Sequence, residues 1–229
     1  MCDHTYFAPQ VEHFAADGRV VAVDLRGHGR SDKPTQDYTV EGFAGDLAWL
    51  CECLEIKRPI VVGHSLGGVI AFELAALQPN LPRAIVALDS PLVVPPRLLH
   101  ALGRVAESFH GPDYGAKARS FVENMFLSTD DHELRKRIVQ AMTAGPRHVA
   151  MAAFEGMLAS RAAAAATAPE IAVPLLALAS AGGHMPDLAR LRELCSKLVT
   201  GQTVGAGHFL QLEVPDQVNA MIERFTRLI

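Results

Sequence analysis

Ser65 stands in Gly63-His64-Ser65-Leu66-Gly67, a Gly-x-Ser-x-Gly pattern whose neighbours give it a shape. Ile60-Val61-Val62 before it is apolar and β-branched, as a buried strand is, and Val69-Ile70-Ala71-Phe72-Glu73-Leu74-Ala75-Ala76 after it reads as a helix. A strand that turns at once into a helix holds the serine at the apex of a strained turn with its hydroxyl outward. The glycines two residues before and after it leave room for strand and helix to approach. The chemistry this permits is nucleophilic attack by Ser65, with the first amides of the helix aimed at the negative charge that develops. Leu66 N–H is the ready oxyanion donor. The competing reading is a tight glycine turn that happens to carry a serine.

Other residues that invite chemistry have weaker patterns. Cys2, Cys51, Cys53 and Cys195 lack the paired spacings of a zinc site or a disulfide framework, and Cys51 and Cys53 diverge by about 200° around a helix. Neither a metal nor an organic cofactor is called for, and the thiols fit a reducing, cytoplasmic setting. The start of the chain has neither the basic leader nor the apolar core of a signal peptide.

The elements that must position Ser65 follow from periodicity. Residues 19–24 read as a short buried strand, followed by a loop rich in glycine and charge at residues 24–34 and a helix near residues 40–54. After the Ser65 helix, residues 84–89 read as a third strand ending in Asp89. Strand signal then vanishes between residues 91 and 168, where helical periodicity is broken by Pro95-Pro96, Gly111-Pro112, Asp130-Asp131 and Gly145-Pro146. Phe121, Met125, Phe126, Met142, Phe154 and Met157 there are expected mostly to form a local core. Strands resume at residues 173–179 and 198–204, with a helix near residues 187–196 between them and a last amphipathic helix from Pro215. Strands alternating with helices imply a parallel sheet covered on both faces. His208, in Gly205-Ala206-Gly207-His208-Phe209, then falls on the sheet edge that carries Ser65, where open α/β sheets place their chemistry.

A chain of 229 residues, 49% of them hydrophobic, buries a substantial core, and a net charge of −4 offers no basic field for nucleic acid or an anionic membrane. No apolar stretch is long enough to span a bilayer. The expected partner is a small-molecule substrate with an apolar acyl group.

Three motifs in order, Asp24-Leu25-Arg26-Gly27-His28-Gly29-Arg30-Ser31-Asp32, Gly63-His64-Ser65-Leu66-Gly67-Gly68 and Gly207-His208-Phe209, make the chain resemble the α/β-hydrolase superfamily in its form with a helical cap. The resemblance covers almost the whole chain. It implies a core of residues 1–90 and 169–229, a cap of residues 91–168, Ser65 as nucleophile, His208 as general base, and an acid between them in sequence. The acid usually follows the strand before the last, where this chain has Ser180-Ala181-Gly182-Gly183-His184. Three readings stay open: Asp89, at a position from which some members supply their acid; Asp187, whose plain explanation is a helix N-cap; and no acid at all. His64 is expected to point away from the site into a structural hydrogen bond, and His28 and Asp32 to shape their loop.

The resemblance also implies strands and a His-Gly oxyanion loop ahead of residues that here stand at the start. The chain reads as truncated at its N-terminus, which leaves either a gap between residues 19–24 and the Ser65 strand or a direct new pairing of the two. Loss of one oxyanion donor lowers rates by about 10²–10³. The implied activity is hydrolysis of a small carboxylic ester through an acyl-enzyme, or carbon–carbon bond hydrolysis of diketone-like compounds on the same triad. A non-catalytic ligand-binding protein on this fold is the reading from another class.

Overall fold

The computed structural model describes residues 2–167, 170–182 and 187–229. Its centre is a parallel sheet of four strands, β1 (Ile60–His64), β2 (Ala84–Leu88), β3 (Leu175–Ala179) and β4 (Leu198–Gln202), in the order β1-β2-β3-β4. β2 and β3 are buried along their whole length, which is why they read as unbroken apolar runs rather than alternating ones. Alternate residues feed two cores. Ile85, Ala87, Leu175 and Ala177 face α2 (Val40–Cys53), α3 (Leu66–Leu77) and α8 (Leu188–Leu194). Val86, Leu88, Leu176 and Leu178 face α10 (Pro215–Thr226), with Phe7 and Phe14 of the N-terminal helices packed on the same side.

The N-terminus forms a short 3-10 turn, His4–Phe7, and α1 (Ala8–Phe14). Thr39 caps α2 by accepting a hydrogen bond from Gly42 N. Between β2 and β3 lie four helices: α4 (Pro96–Ser108), α5 (Tyr114–Glu123), α6 (His132–Thr143) and α7 (Arg147–Thr167). Leu210–Glu213 forms α9, a single turn directly after His208.

One expected element does not form. Residues 19–24 form no strand and pair with none among the described residues, and Val20, Val21 and Val23 are 39%, 41% and 36% exposed. The β-branched run has the intrinsic preference for a strand, but a strand exists only through its hydrogen-bonded neighbour. Among the described residues β1 pairs with β2 alone, through Ile60↔Ala84 to His64↔Leu88, and a trench lined by β1 and residues 18–23 runs beside it.

The α7 helix is fixed to α3 by a side chain that sequence alone did not single out. Arg161 is 1% exposed. Its guanidinium donates to Leu92 O at 2.6 Å and to Ser160 Oγ at 2.8 Å, lies 3.7 Å from the Glu73 carboxylate, and sits 5.8 Å over the Phe72 ring.

Candidate active site

The turn after β1 explains its own composition. Ser65 has φ 52° and ψ −117°, a conformation that L-residues rarely adopt, and it is braced by Ser65 N donating to Leu88 O of β2 at 2.9 Å. Gly63 is required because a Cβ there would overlap the Gly67 carbonyl and come within 2.5 Å of Gly68 N. The second tight position is Gly68, not Gly67 as the motif suggests: a Cβ at 68 would overlap the Ser90 side chain, whereas a Cβ at 67 meets nothing within 4 Å. Leu66 opens α3, so its N–H belongs to the first turn, whose amides have no carbonyl partner within the helix.

Asp89 follows β2 by one residue, and a φ of 43° turns its carboxylate along the sheet edge. Its Oδ2 accepts from His208 Nδ1 at 2.7 Å, and its Oδ1 accepts from Ser180 N at 2.9 Å. Burial by itself would raise the Asp89 carboxyl. The hydrogen bond and charge of His208 and the Ser180 amide outweigh it and hold the carboxyl below its ordinary value. Ser65, Asp89 and His208 line one cavity of about 1380 Å³, which continues into the trench beside β1. A serine hydroxyl and a carboxylate-oriented imidazole on one sheet edge can activate a nucleophile and shuttle its proton.

His64 sits nearer to this chemistry than its neighbourhood in sequence suggests. Its Nε2 donates to His208 O at 2.7 Å, which is the expected structural hydrogen bond. The ring is not turned away from the site, however: it packs against the His208 ring with centroids 4.5 Å apart. Burial first, then the charge of His208, pushes the His64 imidazole down to about 3, so it stays neutral as a donor.

The alternative acid stands at a helix terminus. Asp187 is exposed, and its Oδ1 accepts from Arg190 N at 3.0 Å as the N-cap of α8. His184 lies outside the described residues. His28 and Asp32 hold their loop, His28 Nδ1 by bonding to Arg26 O at 3.0 Å and Asp32 O by accepting from Gly27 N at 2.7 Å. Asp24 organises the same loop by accepting from Arg30 N and His4 N. Asp3, His4 and Asp24 form the one cluster with metal-ligand types and spacing among the described residues, and the internal hydrogen bonds of Asp24 to His4 account for it.

The helices between β2 and β3 contribute the apolar wall. Phe121, Met125, Phe126, Met142, Phe154 and Met157 pack among buried side chains and one another, as expected, and all line the cavity as well. Among the described residues no helix is long and apolar enough to cross a membrane.

A model of the alpha/beta hydrolase fold matches residues 3–215. The chain is 38% identical over 96 residues to 2-(acetamidomethylene)succinate hydrolase of Mesorhizobium japonicum, which is 42% of this chain and 34% of that protein. It is 42% identical over 71 residues to an uncharacterised protein of Mycobacterium tuberculosis, covering 31% of this chain and 21% of that one. The chain thus spans well under half the length of these curated relatives. Among solved structures, an esterase from Thermogutta terrifontis superposes with a TM-score of 0.83 at 24% identity, covering 98% of this chain and 85% of that chain. The enol-lactonase of Burkholderia xenovorans superposes with a TM-score of 0.82 at 22% identity, covering 98% and 87%. At such identities the structural likeness speaks for the fold, and together with the family match it shows that this chain belongs to the alpha/beta hydrolase fold family.

Proposed function

We propose that the chain is a serine hydrolase of small carboxylic esters, open or cyclic, with an apolar acyl group, and that Ser65, His208 and Asp89 form its triad. The observation that carries the proposal is the 2.7 Å bond from His208 Nδ1 to Asp89, which leaves Nε2 as the basic nitrogen on the edge that holds Ser65. In the proposed reaction His208 Nε2 takes the Ser65 proton as Oγ adds to the ester carbonyl. The oxyanion accepts from Leu66 N–H, and His208 returns the proton to the departing alcohol. Water then attacks the acyl-enzyme by the same route in reverse. Helices α4–α7 act as the cap, and their Phe and Met side chains receive the acyl group.

A serine nucleophile also separates this reading from a second chemistry found among the relatives, which include a Caenorhabditis elegans epoxide hydrolase 32% identical over 84 residues. An epoxide opened by Ser65 Oγ would leave an ether on the serine, which water does not cleave, whereas an acyl-serine is an ester and turns over. The test is a fluorophosphonate probe followed by peptide mass spectrometry, alongside hydrolysis of short-chain p-nitrophenyl esters. Modification at Ser65 that disappears in Ser65→Ala is expected. An unmodified Ser65 with intact fold would refute the assignment and favour a ligand-binding role.

A further inference from the structure

Two carboxyl groups that the proposed mechanism leaves unused meet behind His208. Glu213, the last residue of α9, folds back on the histidine loop, where its Oε2 accepts from Gly207 N at 2.7 Å and its Oε1 from Phe209 N at 3.2 Å. The amide between these two, His208 N, donates to Met125 O at 2.9 Å. Three successive amides around the imidazole are therefore held from outside the loop. Asp130, in the segment between α5 and α6, accepts from Leu127 N through Oδ2 at 2.6 Å. It presses so closely on the loop that a Cβ on Gly207 would lie 2.6 Å from that same oxygen. Its other oxygen, Oδ1, is buried without a hydrogen-bond donor among the described residues, and the two carboxyl groups meet at Gly207, whose amide is held by Glu213 and whose Cα faces Asp130.

Two ionised carboxylates cannot hydrogen-bond, because neither has a donor. We infer that Asp130 and Glu213 share one proton, and that this shared proton ties the α5–α6 segment to the histidine loop and makes both residues positioning residues for His208. The inference rests on the reading of His208 as the general base. Burial is the largest influence on Glu213, and the bond and charge of Asp130 add to it. Against the pull of the Gly207 and Phe209 amides, these raise the Glu213 carboxyl to about 7.

The other charged groups on the packed elements are engaged elsewhere. His208 Nδ1 is on Asp89, Asp131 caps Leu134 N, and Arg135 reaches Glu123 O and the Phe126 ring. His132 lies beside Glu133 in solvent, and Arg137 faces Tyr6. On the N-terminal side Asp3 binds Thr5 N, His4 binds Asp24 and His13 binds Glu223, while Asp216 at the start of α10 is exposed. Among these groups Asp130 is the charged side chain that acts on Glu213.

The sign of the pH effect follows. A carboxyl raised from 4.5 to about 7 binds a proton on folding, so its contribution is complete below the lower value and is lost as the pH rises through the higher one. Asp130→Asn separates the bond from the proton: the amide oxygen can accept from Leu127 N, and the amide nitrogen can donate to an ionised Glu213 at any pH. Wild-type melting temperature is expected to fall by several degrees between about pH 5 and about pH 8, and that of Asp130→Asn to stay closer to level. The Ser65 fluorophosphonate labelling rate, taken as the ratio of the upper to the lower pH, should be severalfold smaller in wild type than in Asp130→Asn. Parallel pH dependences in the two proteins would overturn the inference. Carboxyl carbon-13 NMR of the wild type reads the pair without any variant: a Glu213 titration near neutrality supports it, and an ordinary carboxylate titration refutes it. If neither protein is labelled at Ser65, the hydrolase reading fails, while the melting curves and NMR still decide whether the proton is shared.

Discussion

Asp89→Asn tests the proposed triad without disturbing the fold. Asp89 has φ 43°, and asparagine is, after glycine, among the residues that best tolerate that region, so the backbone turn survives the change. What does not survive is the hydrogen-bond count. Asp89 accepts from two donors, His208 Nδ1 at 2.7 Å and Ser180 N at 2.9 Å, and an amide has one oxygen to offer them. Either the Ser180 amide meets an NH₂ group, or the imidazole does and moves its proton to Nε2, where it can no longer take one from Ser65. A hydrogen bond to an ionised partner contributes about 1.5–3 kcal/mol, which at about 1.4 kcal/mol per decade is about a 10- to 150-fold loss. Tautomer inversion extends the loss to about 10⁴-fold. The expected fall in kcat/KM for p-nitrophenyl butyrate is therefore about 10²–10⁴-fold. Asp187→Asn, which keeps an N-cap of equal quality, should leave the rate unchanged. Far-ultraviolet circular dichroism establishes that both variants are folded. A folded Asp89→Asn enzyme within about tenfold of wild type, or an equal loss in Asp187→Asn, would refute the assignment of the acid.

Four further outcomes follow from the structure. Gly63→Ala should destabilise by about 2–3 kcal/mol because its Cβ overlaps backbone, whereas Gly67→Ala, which meets nothing within 4 Å, should stabilise by about 0.5–1 kcal/mol as helix residues do. Urea denaturation of the pair measures both. Arg161→Ala strips the partner from half-buried Glu73 and from Leu92 O, and a loss of about 2–4 kcal/mol in the same assay is expected. Because the Asp89 carboxyl is held below its ordinary 3.8, its stabilisation is complete above that value and lost as the pH falls through the lower folded one. An acid limb in the wild-type melting curve that is absent from Asp89→Asn checks this. Finally, the exposed Val20 and Val21 beside the open edge of β1 predict concentration-dependent self-association, which Val20→Lys with Val21→Lys should reduce on size-exclusion chromatography without changing the melting temperature.

The parts of the site that chain order and local patterning control were legible. The Ser65 turn, the buried β2 and β3, and the placement of Asp89 and His208 on one edge all follow from short-range signals. The parts that depend on a distant partner were not. Residues 19–24 have strand composition, yet no neighbour pairs with them, and composition cannot reveal that. Gly68 outranks Gly67 because of Ser90, a contact across two elements. Glu213 and Asp130 stand far apart in the chain, and no local signal shows that the fold sets both against Gly207 beside His208. Arg161 gave no signal because a cation on a helix is presumed to be solvated.

Two of the three proposed catalytic residues hold backbone conformations, φ 52° at Ser65 and φ 43° at Asp89, that cost side-chain-bearing residues on the order of 1–3 kcal/mol each. At position 65 glycine would relieve that strain and remove the proposed nucleophile, whereas at position 89 the carboxylate's hydrogen bonds to His208 and Ser180 offset it. On the proposed mechanism, turnover favours serine at 65, whereas stability alone favours glycine. In a lineage released from the first pressure, glycine at 65 should be an early substitution, so a glycine there would mark a relative that kept the fold after abandoning the reaction.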